Sequence, residues 1–470
     1  MRRAAFASLA LVVLTAVAAR GGAPPPPTSP AALLAAYLRI DTATGAPGEA
    51  RAAEWLAREL QRAGLPATRH LGPDGRTSLS CRLAANAART GGTLVLLHHL
   101  DVVPAGEGWS VPAFGGVTRD GAIWGRGAVD AKGLGIAHLA AFLDTAQSDL
   151  PRHRDLVLLA TAGEESGGSA GVGWLMSAHP ELFADVAVVL NEGGMNRTAN
   201  DRPLWFGIET SQKRPFWLEL VARGRGGHAS SLAPESATHQ LVRALARFVD
   251  RPRHWRLEEP AATALAAQAK VDPSLAAALA RLPATLSTGT PESSLPPGLL
   301  GALDDTLQVT MLTGAPSINV IAPEARATVD GRLLPATDDI ALLAELRALA
   351  GRDVEIRVLL AAPRSQPSPT ESPEFRILQA TLSGEARVLP AFIPGVTDSR
   401  YFRERGIAAY GFSPFALDGS VLAAIHGPNE RMPEHELSRG IERMRRVVRA
   451  LLAETTRGPA AASPAGGSTR

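Results

Sequence analysis

The sequence contains very little cysteine, since Cys81 is the only one among 470 residues. A disulfide framework therefore cannot form within one chain, and neither can a zinc site built from several cysteines. Any bound metal would be held mainly by histidine, aspartate and glutamate. We expect Cys81 to be a small buried residue with no catalytic part.

An excess of charge of either sign is also missing. The 48 Lys and Arg residues nearly balance 46 Asp and Glu residues, and the formal net charge is +2. This balance gives no reason to expect nucleic acid or an anionic membrane as a partner. Hydrophobic residues make up 45% and charged residues 20%, as in ordinary globular proteins. The length predicts more than one domain.

The apolar run near the N-terminus is short for a membrane-spanning helix. Ala4 to Ala19 is apolar but somewhat short, follows the basic Met1–Arg3, and contains an Ala16-Val17-Ala18 cleavage signal. We interpret residues 1–19 as a secretory signal peptide and residues 20–30 as a proline-rich linker. The expected location is therefore periplasmic or secreted. An uncleaved signal that anchors the protein in the membrane is the alternative.

Apolar segments followed by polar clusters recur along the chain. Residues 94–97, 155–160 and 186–190 predict buried strands, and Ser169 to His179 predicts a helix. Such alternation predicts an α/β fold with a mostly parallel sheet covered by helices. Because the carboxyl ends of parallel strands meet at one edge of a sheet, we expect the polar clusters to converge there.

Residues 212–361 show a different pattern. Their strand candidates alternate polar and apolar residues, including a partly exposed strand at Phe216 to Val221, and predict a small α+β domain. This domain would be inserted into a catalytic domain formed by residues 31–211 and 362–457. Residues 458–470 are rich in Pro, Gly, Ala and Ser, and we expect them to be disordered.

Residues suited to a two-metal centre lie after the predicted strands and in loops. Such a centre needs two cations, a bridging carboxylate, a water and a free carboxylate as base. The candidates are His99, Asp130, Glu165, Glu192 and His426 as ligands, with Glu164 left over as the base. Imidazole and carboxylate ligands suit zinc, manganese or cobalt. Successive side chains point in different directions, so one glutamate of the pair can bind metal while the other faces the water.

Asp101 lies close to His99 in the sequence, where its side chain could accept the second imidazole N–H and select the tautomer.

The remaining histidines are weaker candidates. We expect His98, His138 and His239 to be structural. A buried core position is the alternative for His426.

Together these motifs resemble the M20 metallopeptidase family, which includes aminoacylases, di- and tripeptidases, carboxypeptidase S and carboxypeptidase G2-like enzymes. The segments that carry the resemblance are His99-x-Asp101-x-Val103-Pro104, Gly125-Arg126-Gly127-Ala128-x-Asp130-x-Lys132-Gly133, Glu164-Glu165, Asn191-Glu192-Gly193-Gly194 and Gly226-Gly227-His228. The match extends over about residues 31–452. The phrase HLDVVPAGEGW is most similar to the carboxypeptidase S and N-acyl-amino-acid hydrolase branch.

The resemblance implies a zinc-exopeptidase-like catalytic domain with an inserted lid and dimerisation domain. It implies two divalent metal ions, with zinc expected first and cobalt or manganese as alternatives. Asp130 would bridge them beside a cis Asp130–Ala131 peptide bond. The other ligands would be divided between the two ions, His99 and Glu192 on one and Glu165 and His426 on the other. Glu164 would be the general base.

The resemblance also implies contacts with the substrate. His228 would stabilise the oxyanion in the active site of the partner subunit of a homodimer, although an exposed loop histidine is the simpler alternative. Asn319 and Arg332 would hold the substrate, the arginine by its free carboxylate. Arg332 could instead merely pair with Asp330.

The implied activity is hydrolysis of amide bonds in substrates with a free carboxylate, either peptides, as in a carboxypeptidase or dipeptidase, or N-acyl amino acids. The alternatives are an N-acyl-amino-acid hydrolase that is not a peptidase, and a non-catalytic pseudo-enzyme. Desuccinylation or deacetylation in amino-acid biosynthesis is disfavoured by the signal peptide. The chain departs from the family at Ala131, at Gly395-Val396, and in a longer insertion at Pro252 to Leu303.

Overall fold

Two sheets of different size organise the chain. The computed structural model describes residues 29–43, 47–72, 74–199, 202–231, 235–288 and 297–453. The predicted signal peptide, most of the predicted linker and the predicted disordered tail lie outside the described residues. Within the described part, no helix combines the length and the hydrophobicity needed to cross a bilayer.

The first part of the chain forms most of the larger sheet and several helices. Its elements are α1 (Pro30–Leu38), α2 (Gly48–Arg62), β1 (Thr68–Leu71), β2 (Thr77–Leu83), β3 (Thr93–His99), β4 (Val117–Arg119), β5 (Ala122–Trp124), α3 (Lys132–Gln147), β6 (Leu156–Thr161), α4 (Trp174–Ala178), β7 (Val186–Asn191), β8 (Arg197–Ala199) and β9 (Arg202–Gln212).

The middle of the chain forms the smaller sheet and a helical segment. Its elements are β10 (Arg214–Arg223), β11 (Gly227–His228), α5 (Ala237–Val249), α6 (Ala261–Ala269), α7 (Pro273–Thr288), α8 (Pro297–Gly301), β12 (Thr306–Thr313), β13 (Val320–Ile321), β14 (Glu324–Leu333), α9 (Asp339–Ala350) and β15 (Val354–Ala361).

The last part of the chain returns to the larger sheet. Its elements are α10 (Pro373–Leu382), β16 (Arg387–Ile393), α11 (Ser399–Arg403), β17 (Ala408–Gly411), α12 (Gly419–Leu422), β18 (Arg431–Pro433) and α13 (Glu434–Ala453). The long helix α13 packs against α3 and α10.

The larger sheet has the strand order β1-β2-β6-β3-β7-β17-β9-β16, with β8 paired to β9. Its central neighbours β6, β3, β7 and β17 are parallel, and antiparallel pairs lie on either side of them. Strand β3 is buried along its whole length, which explains its unbroken apolar sequence. The prediction of an α/β fold with a mostly parallel central sheet is confirmed.

The smaller sheet is antiparallel, with the order β12-β14-β10-β15. Helices α5 and α9 cover one face and share a hydrophobic core with it. The chain leaves the larger sheet at the end of β9 and enters the smaller one with β10. The inserted α+β unit of the predicted fold class is therefore present.

Two local predictions are confirmed with a difference in detail. The predicted helix from Ser169 to His179 is present, but its first part, Ser169–Gly173, is a π-helix and only α4 is α-helical. The backbone is closely packed here, because a Cβ on Gly171 would lie 1.9 Å from the carbonyl oxygen of Ala162. The predicted strand at residues 216–221 is also present, and Trp217 and Glu219 on one of its faces are partly exposed.

Strand β9 was not predicted, because its second half is polar. Glu209 and the three residues after it are nevertheless buried. Glu209 is paired with Arg403 through two hydrogen bonds of 2.6 and 2.7 Å, and both side chains are inaccessible to solvent or nearly so. Burial of charge is tolerated here because the planar guanidinium meets the carboxylate with both of its ends.

We predict that Arg403→Met destabilises the fold by about 3–5 kcal/mol, because the Glu209 carboxylate is left buried without its partner. The free energy of unfolding in urea measures this. The matched control is Arg58→Met, since the Arg58–Glu54 pair is exposed by 56% and 52% and should contribute less than about 1 kcal/mol. Equal effects of the two substitutions would refute the assignment.

Candidate metal centre

The candidate ligands meet at one edge of the larger sheet, as the sequence predicts. His99 is the last residue of β3, and Glu164 and Glu165 follow β6 across a short turn. Glu192 directly follows β7. Since β6, β3 and β7 are parallel neighbours, their ends deliver these side chains to a common place.

Asp130 lies between the two candidate histidines. Its Oδ1 is 2.9 Å from Nε2 of His99, and its Oδ2 is 3.2 Å from Nε2 of His426. One carboxylate therefore faces a different imidazole with each oxygen. The Asp130–Ala131 peptide bond is cis, as the resemblance implies.

Each histidine also faces a glutamate. Nε2 of His99 is 3.4 Å from Oε2 of Glu192, and Nε2 of His426 is 3.3 Å from Oε1 of Glu165. In a tetrahedral zinc site with bonds near 2.1 Å, neighbouring ligand atoms are roughly 3.3 Å apart. These two histidine–glutamate separations are longer than good charged hydrogen bonds. They fit two ligand triads that share Asp130: a first triad of His99, Asp130 and Glu192, and a second triad of His426, Asp130 and Glu165.

Two local features of the second triad fit a metal ligand. Oε1 of Glu165 is buried and makes no well-aligned hydrogen bond among the described residues, although Nε2 of His426 lies 3.3 Å away. His426 has a backbone φ of +61°, a conformation that non-glycine residues rarely adopt outside functional or turn positions. Its side chain is 52% exposed, so the alternative of a buried core histidine is wrong.

The carboxylates are crowded. Burial, followed by the charge of Glu192, raises the pKa of Glu164 well above its usual range. Burial likewise raises the pKa of Glu192 to about 8. Burial alone would also raise the pKa of Asp130, but hydrogen bonds from His426 and His99 outweigh it and hold that pKa below its usual range. Cations would relieve this repulsion, so the residues fit a metal centre.

Glu164 lies near the first triad. One of its carboxylate oxygens, one of Glu192 and a ring nitrogen of His99 lie within 4.8 Å of one another. The residue lines a cavity together with Asp130 and His426. Glu164 can therefore reach the space between the triads. Geometry alone allows it to be either a base or an additional ligand.

Asp101 supports the site in a different way from the one predicted. Nδ1 of His99 pairs at 2.8 Å with the backbone carbonyl of Asp101, whereas the Asp101 carboxylate is 3.8 Å away. That carboxylate instead accepts the backbone N–H groups of Glu164 and Glu165, both at 3.0 Å. Asp101 thus selects the His99 tautomer through its carbonyl and positions the glutamate pair through its side chain.

Glu430 was missed by sequence reasoning. It is fully buried, pairs with Arg126 at 2.8 Å, and accepts the backbone N–H groups of Gly127, Val129 and Asp130. It therefore holds the loop that carries Asp130. The available signal was an acidic residue soon after His426, but its partners lie some 300 residues away in sequence.

The cavity beside the triads has a volume of about 300 Å³. Its wall includes the predicted substrate residue Arg332 and two residues that were not predicted, Asp398 and Arg400. Burial raises the pKa of Asp398 to about 6. Arg332 also forms a bidentate pair with Asp330, with distances of 2.8 and 2.9 Å. Arg332 therefore both pairs with Asp330 and lines the cavity.

His228 and Asn319 lie apart from this cavity. His228 is exposed on the short strand β11, which pairs with β13, and the Asn319 carbonyl accepts the N–H of Ala229 at 3.0 Å. The two residues are neighbours on one small ribbon, although they are far apart in sequence. Their roles in the active site of a partner subunit stay predictions.

The residues expected to be structural lie outside the triads. His98 and His138 are fully buried, with ring centroids 5.7 Å apart, and Cys81 is buried. His239 lies on the exposed part of α5.

A family model described as peptidase family M20/M25/M40 matches residues 95–450. The chain belongs to this family. It is a hydrolase that acts on amide bonds, and its M20 resemblance is thereby confirmed.

Individual relatives of this M20 chain cover most of it. Aminoacylase-1B of Rattus norvegicus is 27% identical over 374 residues, which cover 76% of this chain and 80% of that protein. The N-fatty-acyl-amino acid synthase/hydrolase PM20D1 of Xenopus tropicalis is 30% identical over 366 residues, covering 73% and 69%. The M20 family metallo-carboxypeptidase Sso-CP2 from Sulfolobus solfataricus has a similar fold, with a TM-score of 0.67, 21% identity and coverage of 89% and 98%.

We predict that Asp130→Asn reduces the bound divalent metal to a small fraction of the wild-type content, because one carboxylate serves both triads. Elemental analysis after dialysis measures this. Asp120→Asn is the control, since the Asp120 side chain is 81% exposed. Wild-type metal content in the Asp130 variant would show that Asp130 is not a shared ligand.

We predict that Glu430→Gln weakens metal binding by about 10- to 100-fold, because the loop that carries Asp130 loses its anchor. Competition with a chelator measures the affinity. Glu442→Gln on α13 is the control, because that exposed glutamate pairs only locally with Arg445. An affinity equal to that of the control would contradict the anchoring role.

Proposed function

We propose that the protein is a dinuclear metal-dependent hydrolase of N-acyl amino acids. The observation that carries this proposal is the Asp130 carboxylate shared by two ligand triads, with Glu164 and Arg332 at the same cavity. Zinc is the proposed metal, since carboxylates and imidazoles at these separations suit its tetrahedral coordination. Cobalt and manganese are the alternatives.

The proposed mechanism assigns one task to each residue. When bound, two divalent ions would acidify a water and polarise the scissile carbonyl. Glu164 takes the proton of the attacking water and later gives it to the leaving nitrogen. Asp101 keeps the glutamate pair in place through its two backbone hydrogen bonds.

Selection of the substrate rests on charge at the cavity wall. Arg332 offers a guanidinium group that can bind a free carboxylate, even while it remains paired with Asp330. Both a C-terminal peptide residue and an N-acyl amino acid carry such a group. We favour N-acyl amino acids because the curated relatives include an aminoacylase and an N-fatty-acyl-amino acid synthase/hydrolase. Peptides remain the second candidate, supported by the carboxypeptidase fold relative.

Two further features of the proposal come from the sequence. His228 and Asn319 would contribute to the active site of the partner subunit in a homodimer. Their joint exposure on the β11–β13 ribbon supports this assignment. The N-terminal segment would direct export to the periplasm or the medium, or would anchor the protein if uncleaved.

The direct test of the proposed substrate class is a panel of N-acetyl and N-fatty-acyl amino acids against dipeptides, assayed with added zinc. We expect kcat/KM to be at least tenfold higher for the best N-acyl amino acid than for the best dipeptide. The reverse order would make the protein a peptidase. Absence of turnover with metal bound would support a non-catalytic role.

We predict that Glu164→Gln lowers kcat by at least about 10²- to 10⁴-fold with unchanged metal content, because the amide cannot accept the proton. Steady-state kinetics and elemental analysis are measured on the same sample. Loss of metal would instead make Glu164 a ligand.

We predict that Arg332→Met raises KM for an N-acyl amino acid by at least about tenfold, because a charge-assisted pair is lost. The matched substrate is the corresponding N-acyl amino acid amide, which lacks the carboxylate and should be insensitive to the substitution. An equal loss for both substrates would assign Arg332 a structural role through Asp330.

A further inference from the structure

The smaller sheet rests on the turn that carries the glutamate pair. Trp217 of β10 and Leu360 of β15 are paired across that sheet, and both lie against Gly167. A Cβ on Gly167 would lie 3.1 Å from Cη2 of Trp217 and 3.0 Å from Cδ2 of Leu360. Gly167 also has a backbone φ of +94°, which favours glycine. The indole of Trp217 is therefore in close contact with the turn that follows Glu165.

Hydrogen bonds fix this turn from within and from its other side. The N–H of Gly167 donates to the carbonyl of Glu164 at 2.7 Å, which closes the turn. The carbonyl of Gly167 accepts a hydrogen bond from the Arg400 guanidinium at 2.8 Å and one from the Tyr401 hydroxyl at 2.9 Å. Arg400 and Tyr401 belong to α11. Gly167 is thus a fixed support for the indole.

The indole N–H of Trp217 is bound on the smaller sheet itself. Its Nε1 donates to Oδ1 of Asp330 at 2.8 Å, and Asp330 is the partner of Trp217 on β14. The same carboxylate accepts hydrogen bonds from Nε of Arg332 at 2.8 Å and from its Nη2 at 2.9 Å. One carboxylate therefore holds both the indole and the guanidinium group.

This arrangement makes the direction of Arg332 depend on Trp217. The side chains of Arg332 and Asp330 are 28% and 30% exposed, so burial alone does not restrict their rotamers. The indole N–H comes from a ring that is packed against Gly167, and it restricts the Asp330 carboxylate. Trp217 and Arg332 both line the metal cavity. A binding group that is already oriented loses less entropy when its ligand arrives.

We propose that Trp217 is a positioning residue for substrate binding. Its indole, supported by Gly167, holds the Asp330 carboxylate, which directs Arg332 into the metal cavity. The inference rests on the proposed binding of the substrate carboxylate by Arg332. It adds a physical link between the turn that follows the glutamate pair and the arginine that selects the substrate.

The test is calorimetric titration of the zinc-loaded full chain with a substrate analogue that cannot be hydrolysed. The analogue is the ketomethylene form of N-acetyl-leucine, in which CH2 replaces the amide N–H, and the comparison ligand is its carboxamide. The ratio of the two affinities reports the contact with the carboxylate. We expect the wild type to bind the acid at least about tenfold tighter, because the contact is charge-assisted. Equal binding of both ligands, or binding of neither, would overturn the proposal.

Trp217→Phe keeps a ring against Gly167 but removes the donor. We expect binding of the acid to weaken by about threefold to tenfold, and binding of the carboxamide to stay unchanged. Leu360→Ala is the matched control, because it removes the neighbouring contact with Gly167 and leaves the indole N–H in place. If Trp217→Phe does not fold by circular dichroism, Trp217→Leu, which also lacks the donor, takes its place. An equal loss for both ligands, or the same change of the ratio in Leu360→Ala, would show that Trp217 only packs.

A double-mutant cycle tests the route through Asp330. In the Asp330→Ala background, Trp217→Phe should change the affinity ratio by less than twofold, because the group on which the indole acts is gone. An undiminished effect of Trp217→Phe in that background would contradict the proposed link.

Turnover of N-acetyl-leucine separates this inference from the proposed function. A wild-type chain that prefers the acid analogue, loses that preference in Trp217→Phe, and hydrolyses no N-acyl amino acid would refute the function alone. A chain that hydrolyses N-acetyl-leucine but keeps its affinity ratio in Trp217→Phe would refute the inference alone.

Discussion

The structure depends on one shared carboxylate, that of Asp130, which presents one oxygen to His99 and the other to His426. Two imidazoles alone cannot offset the negative charge of the surrounding glutamates. Buried carboxylates that lack a partner are expensive, so the cluster is stable in its ionised form only with additional positive charge. Metal ions bound here would therefore stabilise this edge of the sheet as well as supply the proposed chemistry.

The surrounding protein is arranged to hold that carboxylate in place. Glu430 anchors the loop that carries Asp130 through three backbone N–H groups and Arg126. Asp101 does the same for the glutamate pair after β6. The carboxylates of Glu430 and Asp101 accept hydrogen bonds from backbone N–H groups and are not candidate metal ligands. Removing either should disturb the ligands without removing one of them.

Much of the site could be predicted from the sequence because its ligands follow apolar strands. His99, Glu165 and Glu192 lie just after runs whose burial is obvious, and parallel strands bring their ends together. The family resemblance then supplied the pairing of ligands with metals. The α/β class followed from the same alternation.

The rest depends on contacts between distant segments, which local patterns do not reveal. Glu430 meets its partners across some 300 residues of sequence, and the polar second half of β9 is buried where Glu209 pairs with Arg403. The insertion packs on β16 through a buried cluster that joins Ala264 and Ala302 to Phe392. The acceptor for His99 was misjudged for a related reason, since the choice between the carbonyl and carboxylate of Asp101 depends on local backbone geometry.

Anomalous diffraction from crystals of the zinc-loaded protein tests the central claim most directly. We expect two peaks about 3.5–4 Å apart, with the Asp130 carboxylate between them. One peak should lie beside His99 and Glu192, and the other beside His426 and Glu165. A single peak, or two peaks that do not share Asp130, would contradict the account.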